Sequence, residues 1–311
     1  MPHERAWLDR IMAGRIPDAG RVSLAPMLSP KGRLIGDFTI SCLGEEEFQL
    51  TSSYGYQSVH ERWLRRHLEA GIDIENISDR RTGFQIAGPM ARTVLAEVTR
   101  ADVSAESFLF MDVKRMTVGM CDCIVQRLSY TGDLGYEIYT DAMDQRSLWD
   151  TLFAAGQKHG MRPFGMRAMM SLRLDKFFGS WLSEFSPDYT PAETGMDRFV
   201  ACNKGADFIG RSAVEAERQS GTARKLVIFE VDADDADAVG YEPVWIDGQV
   251  KGFCTSGGYS HTAQKSIALA LVDVASLSDD LEAKIEILGD MRPARRIHQM
   301  LFDADGARMR G

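Results

Sequence analysis

The chain has 311 residues, 44% hydrophobic and 26% charged, an ordinary globular composition with enough length for more than one core. Its net charge of -9 argues against a nucleic-acid partner, which demands a concentrated basic face; Arg62, Arg65 and Arg66 alternate with Glu61 and Glu69 as on a solvated helix. No apolar run approaches the roughly 20 residues of a membrane span, and the mixed-charge segment 1–15 is no signal peptide, so the expectation is a soluble protein with no membrane partner.

Residues 6–14 place Trp7, Ile11 and Met12 at helical spacing, closed by Gly14 and a turn over 17–20. Strands are predicted over 22–27, 34–42 and 47–52, the first two joined at Pro30-Lys31-Gly32. Residues 59–70 return to helical spacing and stop at Gly71. A strand over 83–87 runs into Gly88-Pro89, and proline suits the first turn of a helix over 90–98. Strands over 118–128 and 135–139 flank the turn Thr131-Gly132-Asp133, and a helix over 145–158 follows. Two similar α+β layers are therefore expected, without a true sequence repeat. From residue 223 short segments at 225–231, 243–246, 249–256, 266–272 and 283–287 predict a small all-β barrel or sandwich. The Asp- and Ala-rich stretch 231–239 reads as a loop. On this pattern the boundaries fall at 1–117 and 118–205 for two α+β parts and 206–311 for the barrel domain.

Polar residues that interrupt apolar segments are the candidates for chemistry. Asp37 lies inside Leu34-Ile35-Gly36-Asp37-Phe38-Thr39-Ile40, where a carboxylate must face solvent, meet a cation or line a cavity. Taken alone, the edge-strand, solvent-facing reading is favoured. Glu137, in Gly135-Tyr136-Glu137-Ile138-Tyr139, reads the same way. Arg167 and Arg173 sit in an otherwise apolar helix over 165–175, and salt bridges to Asp175 or to a neighbouring layer compete with ligand binding. Met166, Met169 and Met170 read as core filler. Five scattered cysteines without a CxxC pair and six separated histidines give no metal-ligand spacing. Reduced thiols fit a cytoplasmic compartment. The absence of GxGxxG, GxxxxGK[ST] and GxSxG patterns removes support for dinucleotide, P-loop and nucleophile-elbow chemistry.

Four segments in order carry a family resemblance. Phe84-Gln85-Ile86-Ala87-Gly88-Pro89-Met90-Ala91 is similar to an LxGPxA signature. Ser129-Tyr130-Thr131-Gly132-Asp133-Leu134-Gly135-Tyr136-Glu137 resembles YTGExGxEI. The helix from Gly165 to Asp175 resembles GxxARDxLRLE. Residues from Thr255 to Ala268 resemble TSGxxSPxxxxxIA. Together they resemble the aminomethyltransferase, or glycine-cleavage T protein, family over almost the whole chain, most of all the C-terminal folate-binding half of dimethylglycine and sarcosine dehydrogenases.

The resemblance implies a three-lobed α+β fold around a folate cavity, with a C-terminal barrel or jelly-roll-like domain. It implies an enzyme that moves a methylene group from a small methylated amine, or its iminium product, to tetrahydrofolate. A non-catalytic folate-binding or interaction subunit of the same descent is the alternative. Asp37 corresponds to the catalytic carboxylate beside the reacting nitrogen. Ser53, Tyr54, Tyr130, Glu137, Arg167 and Arg198 correspond to the folate-binding set; Arg198 stands where the family has an aromatic residue, and its guanidinium plane can stack. No FAD is expected in this chain, and an FAD-containing amine oxidase is the implied protein partner. Family members begin several dozen residues before the point matching Ala6, so strands of the first lobe are expected to be missing.

Overall fold

The computed structural model describes residues 3–311. Near the start, β1 (Val22–Leu28), β2 (Leu34–Cys42) and β3 (Phe48–Thr51) make an antiparallel meander with β2 in the centre. Alternation assigns the two faces of β2. Phe38 and Ile40 turn inward against Trp7, Leu8 and Ile11 of α1 (His3–Ile11) and Leu64 of α2 (Gln57–Arg66). Asp37, Thr39 and Ser41 therefore point to the other side. The solvated face expected around Arg65 is present, as Arg65 pairs with Glu61 one turn earlier.

The second lobe is a four-stranded antiparallel sheet. Its strands are β4 (Arg81–Ala87), β5 (Val113–Val118), β6 (Cys121–Gln126) and β7 (Gly135–Asp141), in the order β4-β7-β6-β5. One face buries Val125, Tyr136 and Ile138 against Leu95 of α3 (Ala91–Val98) and Leu148 and Leu152 of α4 (Gln145–Gln157). This sheet draws strands from both sides of the boundary expected at 117/118. The expected cut would part β5 from its hairpin partner β6, and β4 from β7, so a unit boundary cannot stand there. Strand β5 was not foreseen because Lys114, Arg115 and Thr117 break its apolar pattern.

After α5 (Met166–Asp175) an irregular strap, residues 176–190, leads to α6 (Pro191–Thr194) and α7 (Arg211–Ser220). The boundary expected at 205/206 is also displaced. Phe208 and Val214 pack with Leu28, Leu34 and Trp181 in the first lobe's core, so the chain commits to the barrel only after α7. The barrel's strands are β8 (Arg224–Val231), β9 (Pro243–Ile246), β10 (Gln249–Ser260), β11 (Lys265–Asp273), β12 (Glu282–Ile287) and β13 (Asp290–Ile297). They close in the order β10-β11-β8-β13-β12-β9, which leaves no free edge. Inside lie Phe229, Cys254, Ala270 and Ile285; Ile267 and Leu269 turn outward onto Leu174 of α5. The last strand was hidden in the sequence by Arg292, Pro293, Arg295 and Arg296.

The strap touches all three lobes. Trp181 meets Tyr56 and His60 of the first lobe edge-on, at 5.3 and 5.5 Å between ring centroids. Tyr130 of the second lobe donates its hydroxyl to the Gly179 carbonyl at 2.5 Å and stacks on Phe178. The buried Glu184 carboxylate accepts from the Ser180 amide at 2.9 Å, Arg173 Nη1 at 2.9 Å, Thr255 Oγ1 at 2.7 Å, and the Ser256 hydroxyl. Two barrel residues and one α5 arginine are thereby held by one strap residue.

Candidate active site

The β2 face that carries Asp37 looks toward the second lobe's open sheet face. Val22 of β1 packs on Val113 and Ile124, with Tyr139 at the margin, and the Val22 and Val113 amides donate to Met111 and Gly20. Strand register defines what faces Asp37's layer. Gln85, Glu137 and Gln126 form one row across β4, β7 and β6; Gly83, Tyr139 and Ile124 form the next. The Tyr139 hydroxyl also comes within reach of Thr51 on β3, joining the two sheets.

Asp37 sits on the central strand opposite Pro26, so the edge-strand reading fails. Its Oδ1 is buried with no hydrogen-bond partner, while its backbone carbonyl accepts the Ser52 hydroxyl at 2.6 Å. Burial pushes the carboxyl up from 3.8 to about 6. The neighbouring Gly36 has no room for a side chain: a Cβ there would stand 2.6 Å from the Phe38 ring and 2.9 Å from His60. His60 is itself drawn down to about 4 by burial, so it backs the strand as a neutral ring.

Glu137 is on an interior strand and half-buried, so its solvent-facing reading also fails. Its Oε2 accepts the Tyr139 hydroxyl at 2.7 Å, and burial pushes both groups up. Tyr130 lies close enough to Asp37 to feel its charge, and burial raises its phenol to about 12. Asp37, Tyr130 and Glu137 are thus brought to one region. Ser53 stands half-buried where β3 gives way to the short turn Tyr54–Tyr56, and its side chain makes no capping bond.

The other expected residues lie further out. Tyr54 is 67% exposed, with its hydroxyl 3.4 Å from Asp79. Arg198 is exposed and stacks over its own neighbour Phe199 at 4.8 Å. Arg167 is exposed on the first turn of α5 and has no ion pair among the described residues. Of the two kinds of salt-bridge partner expected for Arg173, the neighbouring layer supplies it: Arg173 pairs with the buried Glu184 of the strap, while the Asp175 backbone carbonyl receives the Leu301 amide. Met166 is 66% exposed and fills no core.

Gln85, Gln126 and Tyr139 were not among the sequence candidates. The available signal was weak: polar residues at alternating positions of otherwise apolar strands, indistinguishable by themselves from an outward face. Among the described residues no group of acidic, His and Cys side chains could hold a metal ion. A concavity of about 1290 Å3 opens on the barrel, but no expected site residue lines it. Among the described residues no helix is long and apolar enough to cross a membrane.

Comparison with known proteins agrees with this architecture. The model of the GCVT N-terminal domain matches residues 2–204, and that of the glycine cleavage T-protein C-terminal barrel domain matches 224–303. Mitochondrial dimethylglycine dehydrogenase of Mus musculus is 37% identical over 306 residues, covering 97% of this chain and 35% of that one. The chain thus spans about a third of the length of those dehydrogenases. The aminomethyltransferase of Geobacillus sp. (strain WCH70) is 32% identical over 295 residues, 94% of this chain and 80% of that protein. The crystal structure of glycine cleavage system aminomethyltransferase T from Bartonella henselae superposes with a TM-score of 0.83 at 22% identity, covering 96% of this chain and 81% of that one, and shares its fold. With both domain models matched in order and a relative aligned over most of its own length, this chain belongs to the aminomethyltransferase, or glycine-cleavage T protein, family.

Proposed function

We propose that this chain is a folate-dependent transferase that moves a one-carbon unit from a small methylated amine, or its iminium product, to tetrahydrofolate, giving the 5,10-methylene form. One observation carries the reading. Asp37 Oδ1, Ser41 Oγ, Gln85 Oε1 and both amide atoms of Gln126 are buried without partners, and all belong to the layer between the two sheets. Buried polar atoms are normally paired, so such a concentration marks a place built for a polar ligand. The donor and acceptor set fits a pterin ring and its amines.

Tetrahydrofolate would supply the two nitrogens that receive the carbon. The chain's own part is to position it and to manage one proton. Glu137 accepts hydrogen bonds from the ring edge, with Tyr139 holding one of its oxygens in place. Tyr130, Ser53 and Arg167 flank the entry, and Tyr54 and Arg198 stand at the rim. Asp37, with a carboxyl near 6, exchanges its proton readily at neutral pH, as a general acid–base group must. The sealed contact of Val22, Val113 and Ile124 keeps water from the labile methylene donor. A partnerless acid–base group of this kind favours an enzyme over a non-catalytic folate-binding subunit.

The oxidation that prepares the substrate needs a flavin, because no side chain here can take up a hydride. The partner in this reading is an FAD-containing amine oxidase, and the five free cysteines suit a reducing compartment such as the cytoplasm. Titration with tetrahydrofolate, followed by tryptophan fluorescence and calorimetry, tests the core of the proposal: saturable binding is expected, and its absence sinks it. Purified chain should be colourless and should not reduce a dye with dimethylglycine or sarcosine.

A further inference from the structure

Building on the folate reading, we propose that Gln126 is a specificity-determining residue and Gln85 a ligand-binding one on either side of Glu137, with Gln126 donating to the ring carbonyl of the pterin and Gln85 bonding the opposite end of the same edge. The three side chains occupy one register row: Gln85 pairs with Glu137, and Glu137 with Gln126. Neighbouring strands stand about 4.8 Å apart, so the two glutamines start roughly 10 Å from each other with Glu137 between them, close enough for three long side chains to converge on one ring edge.

The row has an open and a closed end. Gln85 and Glu137 are half-buried, whereas Gln126 is fully buried, one strand deeper. Beyond it Val113 of β5 stands opposite Gln126 and joins the apolar seal with Val22 and Ile124. A flat ring entering from the β4 side meets Glu137 along its edge and Gln126 at its end.

The chemistry at each position differs. Glu137 can only accept, apart from its protonated form, and the Tyr139 hydroxyl already occupies its Oε2. It suits the adjacent N–H groups of a 2-amino-4-oxo pyrimidine edge. A primary amide brings both a donor and an acceptor, and neither of Gln126's is used by the protein. Its N–H group complements the carbonyl that lies next to the ring N–H. A 4-amino ring presents a donor there, which Gln126 can meet only with its carbonyl turned round, at the expense of its contact with the neighbouring edge.

The unpaired amide also makes a prediction that separates ligand recognition from structure. An apolar residue of similar size at 126 removes buried polar atoms that the unliganded protein leaves unsatisfied. Gln126→Leu and Gln126→Met should therefore melt at or above the wild-type temperature while binding folate more weakly. A merely structural glutamine behaves in the opposite way, its loss lowering the melting temperature and sparing the affinity of what remains folded.

The test is calorimetric titration of folic acid and its 4-amino analogue into wild type, Gln126→Leu, Gln126→Met and Gln85→Leu, with melting curves of the unliganded proteins. Wild type is expected to prefer the 4-oxo ring by roughly tenfold or more, the worth of one well-made buried hydrogen bond. Both Gln126 variants should lose about tenfold in affinity for folic acid, and their preference should shrink by about fivefold, to what Glu137 alone contributes through the ring N–H that the 4-amino ring lacks. Gln85→Leu should weaken both ligands alike and keep the preference. Equal binding of the two rings by wild type, or a folded Gln126 variant with wild-type affinity and preference, overturns the assignment. If wild type binds neither ring nor tetrahydrofolate, the folate reading itself has failed, which is a distinct result.

Discussion

Around Glu184 four donors converge on one buried carboxylate, from the strap's own backbone, α5 and two residues of β10. Around Asp37, a carboxylate on the central strand of its sheet, one buried oxygen has no donor at all. The two regions share charge and burial and differ in satisfaction. Glu184's surroundings are what a fold needs to hold an ion in a poor solvent for it. Asp37's surroundings hold its proton more tightly than water does and leave a buried oxygen without a donor, which costs stability and supplies reactivity. Family motifs fall on both sides of this divide: Arg173, Thr255 and Ser256 serve the junction, while Tyr130 and Glu137 face the interlayer.

The largest expected effect breaks the junction. Glu184→Ala leaves Arg173 as a buried unpaired charge and should cost about 3–5 kcal/mol in urea unfolding. Replacing both partners, Arg173→Met with Glu184→Leu, should recover a good part of that loss; a double variant as unstable as the single one would mean the junction works through something other than its ion pair.

Asp37→Asn should act in the reverse sense. Transfer is expected to slow by about a hundredfold, while folate still binds within about threefold of wild type. The same variant should be more stable than wild type at pH 7. A carboxyl raised from 3.8 to about 6 binds its proton more tightly in the folded state. It therefore favours folding below about pH 4, and that contribution is lost as pH rises through 6. Two units correspond to about 3 kcal/mol at most, so the asparagine advantage should be near zero at pH 4 and full above pH 7. Unfolding curves across that window that run parallel would contradict the account.

Glu137→Ala and Arg167→Ala should each weaken folate binding by roughly tenfold to a hundredfold, through loss of charge-assisted bonds worth about 1.5–3 kcal/mol. Arg167 is the more exposed of the two and should stand at the lower end; unchanged affinity in both variants would return them to a structural role. The smallest effects belong to the rim. Tyr54→Phe and Arg198→Ala should change affinity by about threefold or less, since each side chain is exposed and engages a neighbour rather than the interlayer. A larger loss for Arg198 would show that it leaves Phe199 and stacks on the ligand.

Local pattern made much of this readable beforehand. Alternation in residues 34–42 predicts β2 to the residue, and the turn-punctuated segments after residue 223 announce the barrel. What alternation cannot give is which strands are neighbours. Asp37 looked like an edge carboxylate and Glu137 like a solvent-facing one because their place in the middle of their sheets depends on strand pairing that local pattern does not show. For Arg173 the sequence left Asp175 and a neighbouring layer both open; positions two apart on a helix do not face each other, and the partner came from the strap. Strand β5 was lost because Lys114, Arg115 and Thr117 interrupt its buried residues, and β13 because only Ala294 in it is buried. Gln126 was invisible for the opposite reason: a polar residue at a strand's end reads as solvated, and only the seal formed by Val113 and Ile124 shows that it is not.

The strap also sets how this molecule would come apart. Trp181, Gly179 and Glu184 fasten the first lobe, the second lobe and the barrel within six residues of sequence. Between them Leu182 stands 55% exposed in a left-handed backbone conformation, φ 71°. Cutting the chain at that one point would loosen three attachments at once while each lobe keeps its own core. Limited proteolysis there should release lobes that stay folded but no longer enclose an interlayer, so that folate affinity vanishes before helical and sheet content does.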